Sequence, residues 1–172
     1  MSATLYSLRV SHPALAARCM LEYKRIDHRV VDLVPGTQPA LRALRFPRYT
    51  VPALALDGRR IQGSRQISRA LDELRPDPPL FPREPGARRR VEEAERWGEQ
   101  VLQGVPRRIF RWMAAHHYVV RRWLAVEAAG VPLGAVLARP SLQARLFARP
   151  VGADDTTVRT DLAALGDLAP YV

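Results

Sequence analysis

Few residues in this chain are equipped for chemistry. Cys19 is the single cysteine, which excludes an intramolecular disulfide, a multi-cysteine zinc site and a Cys-x-x-Cys redox pair. Its place two turns into an apolar helical pattern predicts a buried structural thiol rather than a nucleophile. His116 and His117 are adjacent, about 100° apart on a helix, and lack the i, i+4 spacing that grips a metal from one face. No metal site is predicted. Ser11 precedes His12-Pro13, a helix-start signal in which a hydroxyl caps free N–H groups. Ser64 stands at the start of a second helical pattern, where unpaired N–H groups and a hydroxyl suit a carboxylate. For Arg65 a solvated cation on a helix is the plainer account.

These residues are held by a readable order of elements. Ala3–Arg9 is a short strand-like run, and His12-Pro13 opens a helix through Leu15, Cys19, Met20 and Tyr23. His28–Val34 reads as a second strand ended by Pro35-Gly36. One helical turn at Pro39–Arg45 leads to the apolar run Thr50–Leu56, and Asp57-Gly58 signals a hairpin. Ser64 caps a helix whose apolar face is Ile67, Ala70, Leu71 and Leu74. The reading is an α/β domain, β-α-β-α-β-β-α, over residues 1–76. A linker at 77–86 lies in a stretch with five prolines in twelve positions, Arg75–Gly86, which neither a helix nor a central strand can cross. From residue 87 to 172 the pattern is all-helical, with Pro106 expected to kink a long helix carrying Trp97, Val101, Ile109, Trp112 and Met113 on its apolar side. A helix at about His117–Ala129 and shorter ones around Leu133–Phe147 and Thr156–Leu168 follow.

The chain has 172 residues, 47% of them hydrophobic and a net charge of +10. That is enough to bury a sizeable core, and no apolar stretch reaches the ~20 residues of a membrane span. A soluble, cytoplasmic protein is expected. The positive charge is spread: residues 1–84 carry 14 basic and 8 acidic groups, and residues 85–172 carry 13 and 9. Of the 27 basic residues all but Lys24 are Arg, the mark of a compositional bias. Clustered Arg with interleaved aromatics, which a nucleic-acid groove requires, is missing.

Several pieces in order, namely Leu5-Tyr6-Ser7, Ser11-His12-Pro13, Leu21-Glu22, Thr50-Val51-Pro52-Ala53-Leu54, Asp57-Gly58, Gly63-Ser64-Arg65-Gln66-Ile67 and Leu80-Phe81-Pro82, resemble the glutathione transferase family. That resemblance implies a thioredoxin-like glutathione-binding domain with a four-stranded mixed sheet, followed by an all-helical domain that here is short or incomplete. It implies glutathione as co-substrate, a small hydrophobic electrophile as acceptor, a detoxifying conjugation and a homodimer. By resemblance, Ser11 is the catalytic residue that donates to the glutathione sulfur, with His12 beside it. Val51-Pro52 is cis, so that the Val51 backbone pairs with the extended ligand, and Gly63, Ser64 and Arg65 meet the γ-glutamyl end. The family usually carries Glu or Gln where this chain has Gly63, and a Tyr donor would fall near Leu8. An alternative therefore stands beside conjugation: a non-catalytic binding or interaction protein of the same family. Ser11 itself reads equally well as a helix cap, and both roles are compatible.

Overall fold

Period-two burial along β1 (Ala3–Ser7) sets the first layer, with Ala3, Leu5 and Ser7 buried and the residues between them half-exposed. The computed structural model describes residues 2–34, 36–128 and 148–168, and the chain divides into two compact units, Met1–Arg89 and Arg90–Val172. In the first unit β2 (Arg29–Asp32) pairs parallel with β1, β3 (Ala53–Leu56) pairs antiparallel with β1, and β4 (Arg59–Gln62) closes a hairpin on β3. The mixed sheet has the order β2-β1-β3-β4, the expected arrangement. The strands are shorter than the sequence suggests. β2 lasts only while β1 opposes it, from Thr4↔Arg29 to Ser7↔Asp32, and β3 starts after Pro52, which has no N–H to give a ladder.

Helices α1 (His12–Tyr23) and α3 (Ser64–Leu74) cover one face. Ala17 and Leu21 of α1 and Ile67, Ala70 and Leu71 of α3 join Leu5, Leu54, Leu56 and Ile61 in one buried cluster. The opposite parity of the strands faces the short α2 (Ala40–Ala43) and its flank, where Leu41, Phe46 and Ala53 are buried with Tyr6 and Val51 packed on them. Tyr6 meets Phe46 edge-on at 5.6 Å. Asp57 and Gly58 turn the hairpin with φ of 44° and 85°, the pair of positive angles a type I′ turn needs.

Lys24, at the C-terminal end of α1, is completely buried. Its Nζ donates to Asp72 Oδ1, Arg75 C=O and Pro78 C=O, each at 2.6 Å, so all three ammonium protons are used. Asp72 also accepts from Leu80 N–H at 2.8 Å. The proline-rich stretch is thereby fastened to the first unit, and Phe81 within it is 4% exposed beneath the guanidinium groups of Arg69 and Arg88.

In the second unit, the described residues contain no strand. Beyond α4 (Pro85–Trp97) come a π-helical turn at Gly98–Leu102, α5 (Gly104–His116), α6 (Tyr118–Arg122), a second π-helical turn at Trp123–Ala128 and α7 (Asp155–Leu168). The break falls at the first π turn and not at Pro106, which sits in the first turn of α5, where its missing N–H has no intrahelical partner to lose. An extra residue in such a turn shifts the phase of the apolar face. Val101 and Met113, expected in the core, are accordingly exposed, while Val105 and Ala115 are buried. The expected segment Leu133–Phe147 lies outside the described residues. Arg108 grips Asp161 with two bonds of 2.6 Å, and Asp154 caps α7 through Thr157 N–H at 2.8 Å. No helix among the described residues is long and apolar enough to cross a membrane.

Candidate functional site

The ladder registers bring three loops to one end of the sheet. Tyr6 of β1 pairs with Ala53 of β3, and Ala53 with Gln62 of β4. The segment after β1 (Leu8–Ser11), the segment before β3 (Arg48–Pro52) and the segment after β4 (Gly63-Ser64) therefore leave the sheet at the same edge. These segments carry every site residue the sequence singles out.

Ser11 is the N-cap of α1, with φ −95° and ψ 106°. Its N–H donates to Leu8 C=O at 2.9 Å, and its Oγ accepts from Ala14 N–H at 3.3 Å. The cap therefore consumes a lone pair and leaves the hydroxyl proton, which makes no hydrogen bond among the described residues. A hydroxyl so held can donate to a thiolate at the positive end of a helix. His12 is exposed beside it. A cleft of about 340 Å³ adjoins Ser11, lined by Ser7, Leu8, Leu15, Arg18, Val30 and Asp32 among others. Its walls come from β1, β2 and α1 and include none of Val51, Pro52, Gly63 or Ser64. Ser11 thus shares a sheet end with those residues and not a closed cavity.

The Val51–Pro52 peptide is cis. Val51 precedes the first ladder residue of β3, and neither its N–H nor its C=O is hydrogen-bonded among the described residues. Pro52 is buried, and its C=O accepts from Gly63 N–H at 2.9 Å, tying the β3 and β4 loops together. Gln62 reinforces that tie. Its side chain is buried, Nε2 donates to Arg48 C=O (2.8 Å) and Thr50 C=O (2.6 Å), and Oε1 accepts from Arg48 N–H (2.8 Å).

At α3 the cap position belongs to Gly63, not Ser64 as expected, and no side chain caps the turn. Gly63 has φ 99°, a conformation open to glycine and costly for other residues. A Cβ built there would stand 2.4 Å from Gln66 Oε1, so the Gln66 amide fills the space a side chain at 63 would enter. Ser64 is the first helical residue and half-buried, and the first closing bond runs from Ile67 N–H to Gly63 C=O. Arg65 is half-buried on the same turn, and its C=O accepts from Ser68 Oγ.

Cys19 is exposed, which corrects the expected burial: the inner face of α1 is formed by Ala14, Ala17 and Leu21, and Cys19 lies off it. No group of three or more potential metal ligands occurs among the described residues. In the second unit a cavity of about 570 Å³ is lined by His116, Arg149, Asp154 and Asp155, but Asp154 is committed to its cap and Asp155 to Trp112 Nε1 at 2.6 Å. Sequence reasoning passed over two residues. Gln62 gave no signal beyond a polar side chain at the end of a strand. Lys24 gave one: a lone lysine in a chain that otherwise uses arginine marks a place where a compact ammonium is needed.

Residues 5–79 match the model of the glutathione S-transferase N-terminal domain. Among solved structures the chain resembles a β-etherase from Sphingobium, at 19% identity and TM-score 0.68 over 96% of this chain and 70% of that one. It resembles a theta class glutathione S-transferase from Xanthomonas axonopodis pv. citri with glutathione bound, at 25% identity and TM-score 0.56 over 66% and 56%. It also resembles a Tau class glutathione S-transferase from mango, Mangifera indica, at 20% identity and TM-score 0.54 over 61% and 49%. The chain thus spans about half to 70% of the length of these structures. No curated protein sequence matches it.

Proposed function

Because the chain belongs, through its N-terminal domain, to the glutathione S-transferase family, we propose that it binds glutathione at this end of the sheet and adds the thiolate to a small hydrophobic electrophile. The ligand's extended backbone pairs with the N–H and C=O of Val51 as an added strand does. Its γ-glutamyl carboxylate meets the uncapped first turn of α3 at Ser64, whose hydroxyl and neighbouring N–H groups are complementary to an anion. The Ser11 hydroxyl donates to the sulfur and lowers the thiol pKa. His12, Pro52, Gly63 and Arg65 complete the surroundings of the ligand.

The observation that carries this reading is the convergence of the three loops at one sheet edge, with a serine proton and a valine peptide both left without partners. Supporting it, the Xanthomonas relative was solved with glutathione. We assign the protein to the cytoplasm and expect it to work as a homodimer in detoxifying conjugation, with light scattering as the check on association: a monomer at micromolar concentration argues against the dimer. The second reading, a binding protein without turnover, draws on Gly63, where no side chain is available to meet the ligand's ammonium group. Calorimetric titration with glutathione, followed by a rate assay with an aryl halide, separates the two. Binding with conjugation supports the enzyme, binding without conjugation supports the silent form, and no binding contradicts both.

A further inference from the structure

We infer that Gln62 is a positioning residue for the ligand-binding edge: its side-chain amide holds the Arg48–Thr50 backbone so that the peptide of Val51 stands clear of the sheet and ready to pair. The inference rests on the glutathione reading above and deepens it.

Gln62 is 4% exposed and lies at the C-terminal end of β4, paired with Ala53. A buried primary amide has two protons and one oxygen to satisfy. Here both protons go to the carbonyls of Arg48 and Thr50 and the oxygen takes the N–H of Arg48, so the whole group is spent on the three residues directly ahead of Val51. Nothing else among the described residues anchors that backbone as closely: Arg48, Tyr49 and Thr50 are exposed, belong to no strand and have no other backbone hydrogen bond. The main chain of Gln62 fixes the other side of the same site, because the next residue, Gly63, donates to Pro52 C=O. One residue thereby couples the loop that offers a peptide to the ligand and the turn that offers the α3 N-terminus. Without it, the free peptide of Val51 is displayed by a mobile loop, and each binding event must first order that loop.

The test uses the full chain and glutathione itself. Gln62→Met keeps the volume and removes all three hydrogen bonds. Gln62→Glu keeps the shape and the acceptor for Arg48 N–H but points a carboxylate at two carbonyl oxygens. For Gln62→Met the expected result is a rise in the glutathione Kd of tenfold or more at unchanged stoichiometry, with the pKa of the bound thiol unchanged because Ser11 is untouched. Amide exchange at Arg48 accelerates at least tenfold with no ligand present. Gln62→Glu binds as poorly at neutral pH and recovers affinity as the pH falls and the carboxyl gains a proton to donate, a profile the parent does not share. A purely structural role would lower the stoichiometry by unfolding part of the sample and leave Kd alone, and that result overturns the inference. So does unchanged Arg48 exchange in Gln62→Met. Absence of glutathione binding by the parent overturns the ligand reading itself and is recognised in the parent before any variant is compared.

Discussion

Replacing Lys24 by Met tests the energetics of the clip between α1, α3 and the proline-rich stretch. Methionine occupies the lysine stem and removes the ammonium, leaving Asp72 with the Leu80 N–H and stripping the carbonyls of Arg75 and Pro78 of their donor. Removing one partner of a buried ion pair costs ~3–5 kcal/mol. Asp72 keeps 18% of its side chain exposed, so water relieves part of the loss and the lower end applies, about 3 kcal/mol. For a unit of this size that is a fall in Tm of ~12–24 °C. Burial alone would raise the Asp72 pKa, but the hydrogen bonds from Leu80 N–H and Lys24, with the charges of Lys24 and Arg88, hold it below the ordinary value of 3.8. A depressed carboxylate contributes stability above its unfolded pKa and loses it as pH falls through the folded value. The gap between parent and Lys24→Met is therefore full at pH 7 and narrows below about pH 4. Urea unfolding followed by circular dichroism at pH 7 and pH 3 measures it. A difference under about 0.5 kcal/mol at pH 7, the usual range for surface substitutions, would refute the reasoning.

Ser11→Ala is expected to raise the pKa of bound glutathione and slow conjugation by about 10²-fold, the loss of one preorganised donor, while Ser11→Asp keeps the cap and still raises that pKa; thiolate absorbance against pH reads both, and a parent-like Ser11→Ala would reduce Ser11 to a cap. Ser64→Ala is expected to weaken glutathione binding while the pKa of the bound thiol stays where it is in the parent, a split that calorimetry and the same absorbance titration detect; a shift in pKa with unchanged Kd would contradict the assignment. Gly63→Ala forces a side chain into φ 99° and against Gln66 Oε1, so it should destabilise the first unit by ~1 kcal/mol or more, measured by thermal unfolding; a stability equal to the parent's would contradict the strain.

Much of the first unit was legible because its signals are local. Asp57-Gly58 fixes a turn by its backbone angles, Pro52 ends a ladder by lacking an N–H, and the period-two run of β1 fixes which side faces α1 and α3. The phase of the second unit was not legible. A π turn such as Gly98–Leu102 leaves no mark in residue type, yet it rotates everything after it, which is why Val101 and Met113 fell outside the core. Cys19 was misplaced for a related reason, since Ala14, Ala17 and Leu21 define a narrower buried face than the apolar residues around them suggest. At the site, Ser11, Val51 and Ser64 stood out by type or neighbour. Gln62 did not, because its value comes from three backbone groups that only the folded hairpin brings within reach.

The account turns on whether glutathione lies along Val51. Titration of the isotope-labelled chain with glutathione, followed by amide NMR and hydrogen exchange, reads this residue by residue. The account predicts that the Val51 N–H shifts on binding and becomes protected from exchange, together with shifts at Ser11 and Ser64. Saturating glutathione that leaves the Val51 amide unshifted and unprotected would contradict it.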